Sequence, residues 1–399
     1  MKQQRRITLA VACACASLAA GQASAFEVAN KDGWKLDVNG TVNAFYVNSE
    51  QETSSGGVTT ENKQANIQNG LLPGWINFVV TTQQEGYDIK AHFGLAPGIN
   101  SNSPIVGLPS GVDPTLADAY SKIDSRQVYF QFGNASMGTL KFGRDIGLFG
   151  QNPILNDMTL LGVGGTPRAA EPFNTSFGMI GHGYMYTGFQ PQITYSTPTM
   201  GGFNASVGLF NPSTLDKDST NATVVERKST GLQGLATYDW KGAVSGKVWA
   251  SFVDQKTTGT DGYKATGYEG GVKLGFGPAE VLVSAFTAEG LGISTVGAQF
   301  LGGFANGKRL ESEGIFVQGT VKATDKLKVG LSYGENTDKD LAALNTETFN
   351  EAVAAGVYYN LTPSVTLVGE LVNEKTGLDG AVAPEVKTQT ISLGAIMFF

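Results

Sequence analysis

Only a few side chains in this chain of 399 residues could catalyse a reaction or bind a metal ion. The chain has two histidines, His92 and His182, so a Ser-His-Asp triad or a zinc site would have to use one of them. Asp124 and Ser125 lie at the start of a candidate strand, which leaves a hydrolase as a minor alternative. With so few reactive groups, the sequence favours a protein that is not an enzyme and needs no metal or cofactor.

Two further motifs have simpler explanations than a reactive site. The glycines between Gly162 and Gly165 are not followed by the lysine of a phosphate-binding loop, and loop flexibility is the better interpretation. Cys13 and Cys15 are the only cysteines, and both lie in an apolar stretch near the N-terminus. The chain after residue 25 therefore has no thiol for a disulfide, a metal site or a nucleophile.

The N-terminus has the three parts of a secretory signal peptide. Three basic residues after Met1 precede an apolar stretch, 7–20, and an Ala-Ser-Ala cleavage site ends at Ala25. We therefore expect residues 1–25 to be a cleaved signal peptide and 26–399 to be one domain. Removal of the three basic residues changes the formal net charge from −7 to −10. An acidic chain without a basic stripe argues against nucleic-acid binding.

The elements that must position any site are sixteen amphipathic segments. The length of each is close to the roughly 9–11 residues with which a tilted strand crosses a membrane. In the first segment Val38, Val42 and Tyr46 face one way, whereas Asn39 and Asn43 face the other. The apolar rows carry essentially no charge, as contact with lipid requires. The predicted strands are 34–47, 73–83, 86–96, 125–133, 137–144, 184–197, 202–210, 228–239, 243–253, 263–276, 279–288, 312–322, 326–334, 349–360, 364–373 and 386–399.

The connections alternate between short turns and long polar stretches. The long ones lie near 48–72, 97–124, 145–183, 211–227, 254–262, 289–311, 335–348 and 374–385. Outer-membrane barrels have short periplasmic turns, long external loops and an even number of strands. The last strand ends on Phe399, and a barrel would pair it with the first strand instead of leaving an exposed edge. The sequence thus predicts an all-β fold, a closed transmembrane antiparallel β-barrel of 16 strands.

Strand alternation assigns several basic side chains to the inside of this barrel. In 86–96 the apolar row faces lipid, so Lys90 and His92 face the lumen, and in 137–144 the same argument applies to Lys141. The other inward residues are mostly small and polar, and a barrel of 16 strands is wide enough to hold water. These features predict a channel for passive diffusion of ions and small hydrophilic solutes.

The third long connection, 145–183, is unusually apolar. It contains Leu148, Phe149, Ile154 and Leu160 among other apolar residues. A loop in water would not expose so much apolar surface, whereas a loop inside the barrel could pack it against the wall. We therefore expect this connection to fold inward.

The stretches 126–133 and 138–145 resemble the fourth and fifth strands of the general diffusion porins of Gram-negative bacteria. An Arg opens the first stretch, and a Gly-Arg closes the second. The resemblance covers nearly all of the chain after the signal peptide, through its strand and loop order and the terminal Phe399. It implies a homotrimer in which the long loop after the fifth strand narrows the lumen, with its acidic residues facing a basic wall.

This resemblance assigns two groups of constriction residues. On the loop, the acidic candidates are Asp145, Asp157 and Glu171. On the wall, the basic candidates are Lys90, His92, Arg126, Lys141 and Arg144. Arg126 shares a row with Val128 and Phe130, so a β-bulge would be needed to turn it inward. Phe399 is the expected C-terminal assembly signal.

The resemblance also implies an outer-membrane location and a set of partners: the lipid bilayer, lipopolysaccharide, the barrel-assembly machinery and small hydrophilic solutes. The inward rows contain more Lys than Asp or Glu, which indicates a preference for anions, acting only within a screening distance of about 8 Å. Three alternatives stay open. They are a channel selective for a sugar, carboxylate or phosphate, a barrel hydrolase, and a surface adhesin with a plugged bore.

Overall fold

A computed structural model of the chain describes residues 26–99, 123–165, 175–186, 188–212, 225–226, 228–256, 258–259, 264–291, 304–305, 308–341, 346–378 and 385–399. The expected signal peptide, 1–25, and the candidate Glu171 lie outside these described residues. Within the described ranges, no helix is both long and apolar enough to cross a membrane.

Nearly all of the described chain consists of strands, with two short helical segments in one connection. The strands are β1 (Phe26–Lys31), β2 (Trp34–Ser55), β3 (Val58–Gln68), β4 (Trp75–Gln84), β5 (Tyr87–Pro97), β6 (Ile123–Asn134), β7 (Gly138–Ile146), β8 (Phe189–Ser196), β9 (Phe203–Phe210), β10 (Val225–Glu226), β11 (Gly231–Trp240), β12 (Ser245–Lys256), β13 (Thr258–Gly259), β14 (Lys264–Phe276), β15 (Ala279–Glu289), β16 (Phe304–Ala305), β17 (Lys308–Arg309), β18 (Glu311–Lys322), β19 (Leu327–Leu341), β20 (Thr346–Asn360), β21 (Val365–Leu378) and β22 (Glu385–Phe398). Between β7 and β8 lie helix α1 (Gln151–Asn156) and a 3₁₀ helix (Met158–Leu161).

Sixteen of these strands form a closed antiparallel barrel. They are β2, β4 to β9, β11, β12, β14, β15 and β18 to β22, each paired with the next. The ring closes where β22 pairs with β2, from Thr41 opposite Phe398 to Ser54 opposite Glu385. At one end, seven turns of two to six residues join neighbouring strands. Most connections at the other end are longer, as predicted, but those between β19 and β20 and between β21 and β22 have only four and six residues, because these strands run on into the predicted loops.

All sixteen predicted strands are present, but several run further than predicted. β2 continues to Ser55 and forms a hairpin with β3, so most of 48–72 is strand and not loop. β19, β20 and β21 also extend into the predicted loops 335–348 and 374–385. Beyond the membrane both faces of a strand meet water, so the hydrophobic alternation disappears while backbone pairing continues.

Side chains alternate between the lumen and the exterior. On β22, Leu393 and Ile391 are 59% and 45% exposed, whereas Ser392 and Thr390 are each 1% exposed. The exposed row is apolar and forms the lipid-facing surface of the barrel.

The inner rows are less polar than predicted. Phe316, Tyr358, Val368, Val372 and Ile396 are buried on the inner face and belong to one apolar cluster with residues of the connection between β7 and β8. The inner rows are apolar on this side because the connection between β7 and β8 packs against them.

Phe399 lies where the barrel closes. Its N–H donates to the Gly40 carbonyl (3.1 Å), and the Gly40 N–H donates to the Phe399 carbonyl (2.9 Å). A Cβ at Gly40 would lie 2.0 Å from the Trp75 carbonyl oxygen and 2.8 Å from the Phe399 ring, so only glycine fits. β1 pairs with the first residues of β2, and the rings of Phe26 and Phe399 lie 6.4 Å apart.

Candidate functional site

The inner loop, which comprises the described residues 147–165, 175–186 and 188 between β7 and β8, is tied to the barrel wall by its own backbone. Its N–H groups donate to side-chain oxygens on the inner rows of β11, β18, β19 and β21. Leu148 and Phe149 donate to Gln233, Met158 to Gln318, Gly183 to Asn336, and Val163 and Gly164 to Glu370, at 2.7–3.1 Å. These bonds hold the loop against the inner face over one side of the lumen.

Apolar side chains of the inner loop pack on the same side. Ile154, Met158 and Leu160 are buried and share one cluster with the wall residues Phe316 and Val368. The apolar content of this connection therefore has a structural cause, since a loop that lies against a wall can bury what a water-exposed loop cannot.

Asp157 is fully enclosed in the inner loop. Its carboxylate accepts hydrogen bonds from the Tyr184 hydroxyl (2.7 Å) and from the N–H groups of Thr159 (2.8 Å) and Met179 (3.2 Å). Burial raises the pKa of Asp157 above its ordinary value, and burial beside this carboxylate raises the pKa of the Tyr184 hydroxyl. The carboxylate ties two segments of the loop together and is 1% exposed, so it does not face the channel.

Asp145 is also enclosed. It is the penultimate residue of β7 and is 3% exposed. Its carboxylate forms an ion pair with Lys141, four residues earlier on the same face, and accepts a hydrogen bond from the Gln127 amide (2.8 Å). Lys141 therefore neutralises most of the negative charge of Asp145, and little of that charge is left to act on a solute.

Three predicted wall residues surround Tyr129. The ammonium groups of Lys90 and Lys141 lie 5.6 Å and 4.8 Å from the centre of its ring. His92 contacts the Tyr129 hydroxyl through Nδ1 (3.3 Å) and Asn77 Oδ1 through Nε2 (3.0 Å), and it is 2% exposed. The structure thus brings Lys90, His92 and Lys141 together on the inner face of β5 to β7, with His92 buried beneath the lysines.

Arg126 lies at a β-bulge, the irregularity that an inward orientation requires. Gly94 pairs with Gln127 and Leu95 with Ser125, so the pairing of β5 with β6 skips Arg126. Its guanidinium lies 6.0 Å from the Trp75 ring and 5.8 Å from the Phe189 ring, and Nε donates to Asp124 (2.9 Å). The contacts with Trp75 and Phe189, members of the inner apolar cluster, place this side chain inside the barrel.

Arg144 has a different position from the one predicted. It pairs with Val128 on β6 and with Pro191 on β8, in the row of Phe142 and not in that of Lys141. The outer row of β6 is exposed, so the register assigns Arg144 to the exterior face. Arg144 lies three residues after Lys141 on the same strand, so the alternation that places Lys141 on the inner face places Arg144 on the outer face.

Sequence reasoning missed the wall residues that hold the inner loop. Gln233, Gln318, Asn336 and Glu370 all lie on inward rows of strands that were predicted or extended, so their orientation could be inferred. Glu370 had one further signal, because a carboxylate between the apolar residues Val368 and Val372 needs specific donors. The loop groups that supply those donors cannot be identified from strand patterns.

Charged residues on the inner face near the short turns are mostly basic. Strand pairing assigns seven lysines and four acidic residues to this part of the inner wall: Lys35, Lys90, Lys141, Lys247, Lys273, Lys322 and Lys328, with Asp37, Asp88, Asp239 and Glu280. Some of these form ion pairs, such as Lys273 with Glu280 (3.3 Å) and Lys247 with Asp239 (3.5 Å). Positive charge remains in excess.

The described residues contain no group of three or more His, Cys, Asp or Glu placed to hold a metal ion. His182 of the inner loop lies 3.5 Å from Glu374 of β21, which adds another contact between the loop and the wall.

Comparisons with known proteins agree on one architecture. The outer membrane channel DcaP of Acinetobacter baumannii is similar with a TM-score of 0.66 and 17% identity, covering 94% of this chain and 100% of that one. An anion-selective porin from Comamonas acidovorans has a TM-score of 0.60 and 14% identity, covering 92% and 100%. OmpT of Vibrio cholerae in its trimer form has a TM-score of 0.53 and 13% identity, covering 92% and 100%. At such low identity these likenesses show the fold alone. No curated protein sequence matches the chain.

A family model described as Gram-negative porin matches residues 8–377, nearly the whole chain. The family match and the closed barrel of 16 strands place the protein in the outer membrane as a passive diffusion channel. The chain belongs to the family of Gram-negative porins.

Proposed function

We propose that this porin prefers anions, and that its narrowest part lies between the inner loop and the basic wall of β5 to β7. The observation that carries the proposal is an imbalance of charge. The two described acidic candidates, Asp145 and Asp157, are enclosed by internal partners, whereas lysines outnumber acidic residues on the inner wall near the short turns. Lys90, Lys141 and Arg126 line this wall, where Asp145 offsets part of the charge of Lys141 and Asp124 part of that of Arg126.

Selection would combine size and charge. The inner loop reduces the free cross-section, and partly exposed lysines on the remaining wall attract anions over a screening distance of about 8 Å. The likeness in fold to an anion-selective porin supports the same direction, although it does not assign residues.

We infer a homotrimer as the working assembly. A similar fold occurs in a trimer form of OmpT, and the family resemblance implies the same state. Chemical cross-linking of the detergent-purified protein should give a ladder ending at three chains. A single band at one chain would contradict this inference.

Measurement of the reversal potential in a salt gradient across a planar bilayer tests the anion preference directly. The proposal expects chloride to be more permeant than potassium. A cation preference would overturn it, even if the protein formed open channels of normal conductance.

A further inference from the structure

A second chain segment enters the barrel beside the inner loop. The inner turn, residues 69–73, follows the β2–β3 hairpin and leads into β4. Asn69 is 0% exposed, and Leu71 and Leu72 are each 6% exposed. In the sequence this segment belongs to a connection predicted to be external, so its burial requires a specific anchor.

Asn43 on the inner row of β2 supplies that anchor. Its amide nitrogen donates to the carbonyls of Leu72 (2.9 Å) and Pro73 (3.1 Å), and its Oδ1 accepts from the Gly70 N–H (2.9 Å). Asn69 also donates to Oδ1 of Asn43 (3.3 Å). One buried amide thus satisfies the backbone of almost the whole inner turn.

The inner turn is also hydrogen-bonded to the inner loop. The Leu71 N–H donates to the Gly162 carbonyl (2.8 Å), and the Ser176 N–H donates to the Gly70 carbonyl (3.0 Å). The approach is close, because a Cβ added at Gly70 would lie 2.0 Å from the Gly162 carbonyl oxygen. At Gly178, where φ is +56°, a Cβ would lie 2.4 Å from Leu71 Cδ2.

Residues 162–164 of the inner loop are therefore held from two directions. The inner turn binds the Gly162 carbonyl, and Glu370 on β21 accepts from the N–H groups of Val163 and Gly164 (2.8 Å each). A Cβ at Gly162 would lie 2.2 Å from a Glu370 oxygen. The glycines that suggested flexibility in the sequence instead permit close packing at a fixed point.

We propose that the inner turn is a positioning element of the channel, which fixes the inner loop at residues 162–164 and so sets the width of the passage. The inference rests on the proposed function only in that the inner loop bounds the passage, and it does not depend on which ion is preferred. Without the turn, the loop would keep Glu370 as a partner but would lose its second support and fluctuate into the passage.

Two variants test this proposal in single-channel recordings. Gly70→Ala pushes the inner turn away from Gly162, and Asn43→Asp keeps the acceptor for Gly70 but loses both donors to Leu72 and Pro73. Gly319→Ala is the matched control, since a Cβ at Gly319 meets nothing within 4 Å. Loss of two buried hydrogen bonds should make brief closures about tenfold more frequent in Asn43→Asp, with a similar change in Gly70→Ala.

Folding and selectivity are measured in parallel. The heat-induced shift in gel mobility reports whether each barrel is folded, and the reversal potential reports ion preference. Folded variants with more closures and an unchanged reversal potential would support the positioning role. Folded variants that close as rarely as the wild type and Gly319→Ala would overturn it. If Gly70→Ala does not fold, Asn43→Asp decides the question alone. A cation preference of the wild type would instead count only against the proposed anion selectivity.

Discussion

The inner wall of this barrel has two parts that differ in what covers them. On β18 to β22, the inner rows carry buried apolar side chains with Glu370 among them, and the inner loop packs over them. On β5 to β7, the inner rows carry Lys90, Lys141 and Tyr129, and Lys141 keeps 24% of its side chain exposed. The same strand alternation therefore produces a packed core on one side and a charged surface on the other. Alternation predicts which way a residue faces, whereas the loop decides whether water reaches it.

The largest effect on stability is expected on the basic side, at the pair of Lys141 and Asp145. Lys141→Ala leaves the nearly buried Asp145 without its cation and should lower the free energy of unfolding by about 2–3 kcal/mol. This range already includes a reduction for the partial exposure of the lysine. Urea unfolding of the detergent-embedded barrel measures this change. Asp145→Asn in the Lys141→Ala background should restore much of it.

A matched variant sharpens this result. Lys247 forms a pair with the half-exposed Asp239, so Lys247→Ala should cost at most about 0.5 kcal/mol. Equal losses in Lys141→Ala and Lys247→Ala would mean that burial of the carboxylate does not distinguish the two pairs.

On the covered side, Glu370→Gln should reduce stability by about 1–2 kcal/mol. The carboxylate accepts from two loop N–H groups and from the Tyr358 hydroxyl (2.7 Å), and a neutral amide accepts these bonds less strongly. Limited proteolysis should also cut the inner loop faster in this variant. Glu313→Gln, which changes an exposed ion pair with Lys339, is the control and should leave both measurements within error of the wild type.

Acid should stabilise the folded protein through Asp157 of the inner loop. Because burial raises its folded-state pKa above 3.8, the folded protein binds this proton more readily than the unfolded chain. The favourable contribution is fully present below pH 3.8 and is lost as pH rises through the raised pKa. Urea unfolding as a function of pH should therefore show a smaller gain on acidification in Asp157→Asn than in the wild type. Parallel curves for the two proteins would contradict this assignment.

The smallest effect is expected on ion permeability when a single lysine charge is removed from the inner wall of β5 to β7. Lys90→Gln should reduce the ratio of chloride to potassium permeability by about twofold, as expected for one charge acting through water. Lys339→Gln, on the outer row of β19, should leave the ratio unchanged. A larger change in the outer variant than in Lys90→Gln would place the selective region outside the lumen.

Much of the barrel could be predicted from the sequence, because lipid on one face forces a regular apolar row. All sixteen strands follow from that row. The ends of β2 and β19 could not be predicted, because their distal residues are polar on both faces. In β2, the residues from Asn48 to Ser55 are all polar, yet they pair with β3 and β22.

The candidate site was predicted less completely. The inward orientation of Lys90, His92 and Lys141 followed from alternation, and that of Arg126 from resemblance combined with an expected bulge, whereas their role in a constriction stays a prediction. The enclosure of Asp157 left no signal, because its partners Met179 and Tyr184 are brought to it only by the path of the loop. For Asp145 the spacing of four residues from Lys141 on one strand face was a usable signal, whereas the contact with Gln127 required the strand register. The anchors of the inner turn, above all Asn43, are ordinary polar residues of a strand until the turn is seen to fold back on them.

The β2–β3 hairpin has a practical consequence. Its tip, Gly56 and Gly57, has positive φ angles of 59° and 81°, and a Cβ at either position would meet nothing within 4 Å. The hairpin stands at the end of the barrel opposite the short periplasmic turns, on the cell exterior. A foreign peptide inserted between these two glycines would be displayed to antibodies on living cells at a defined height, while barrel closure and the lumen stay intact.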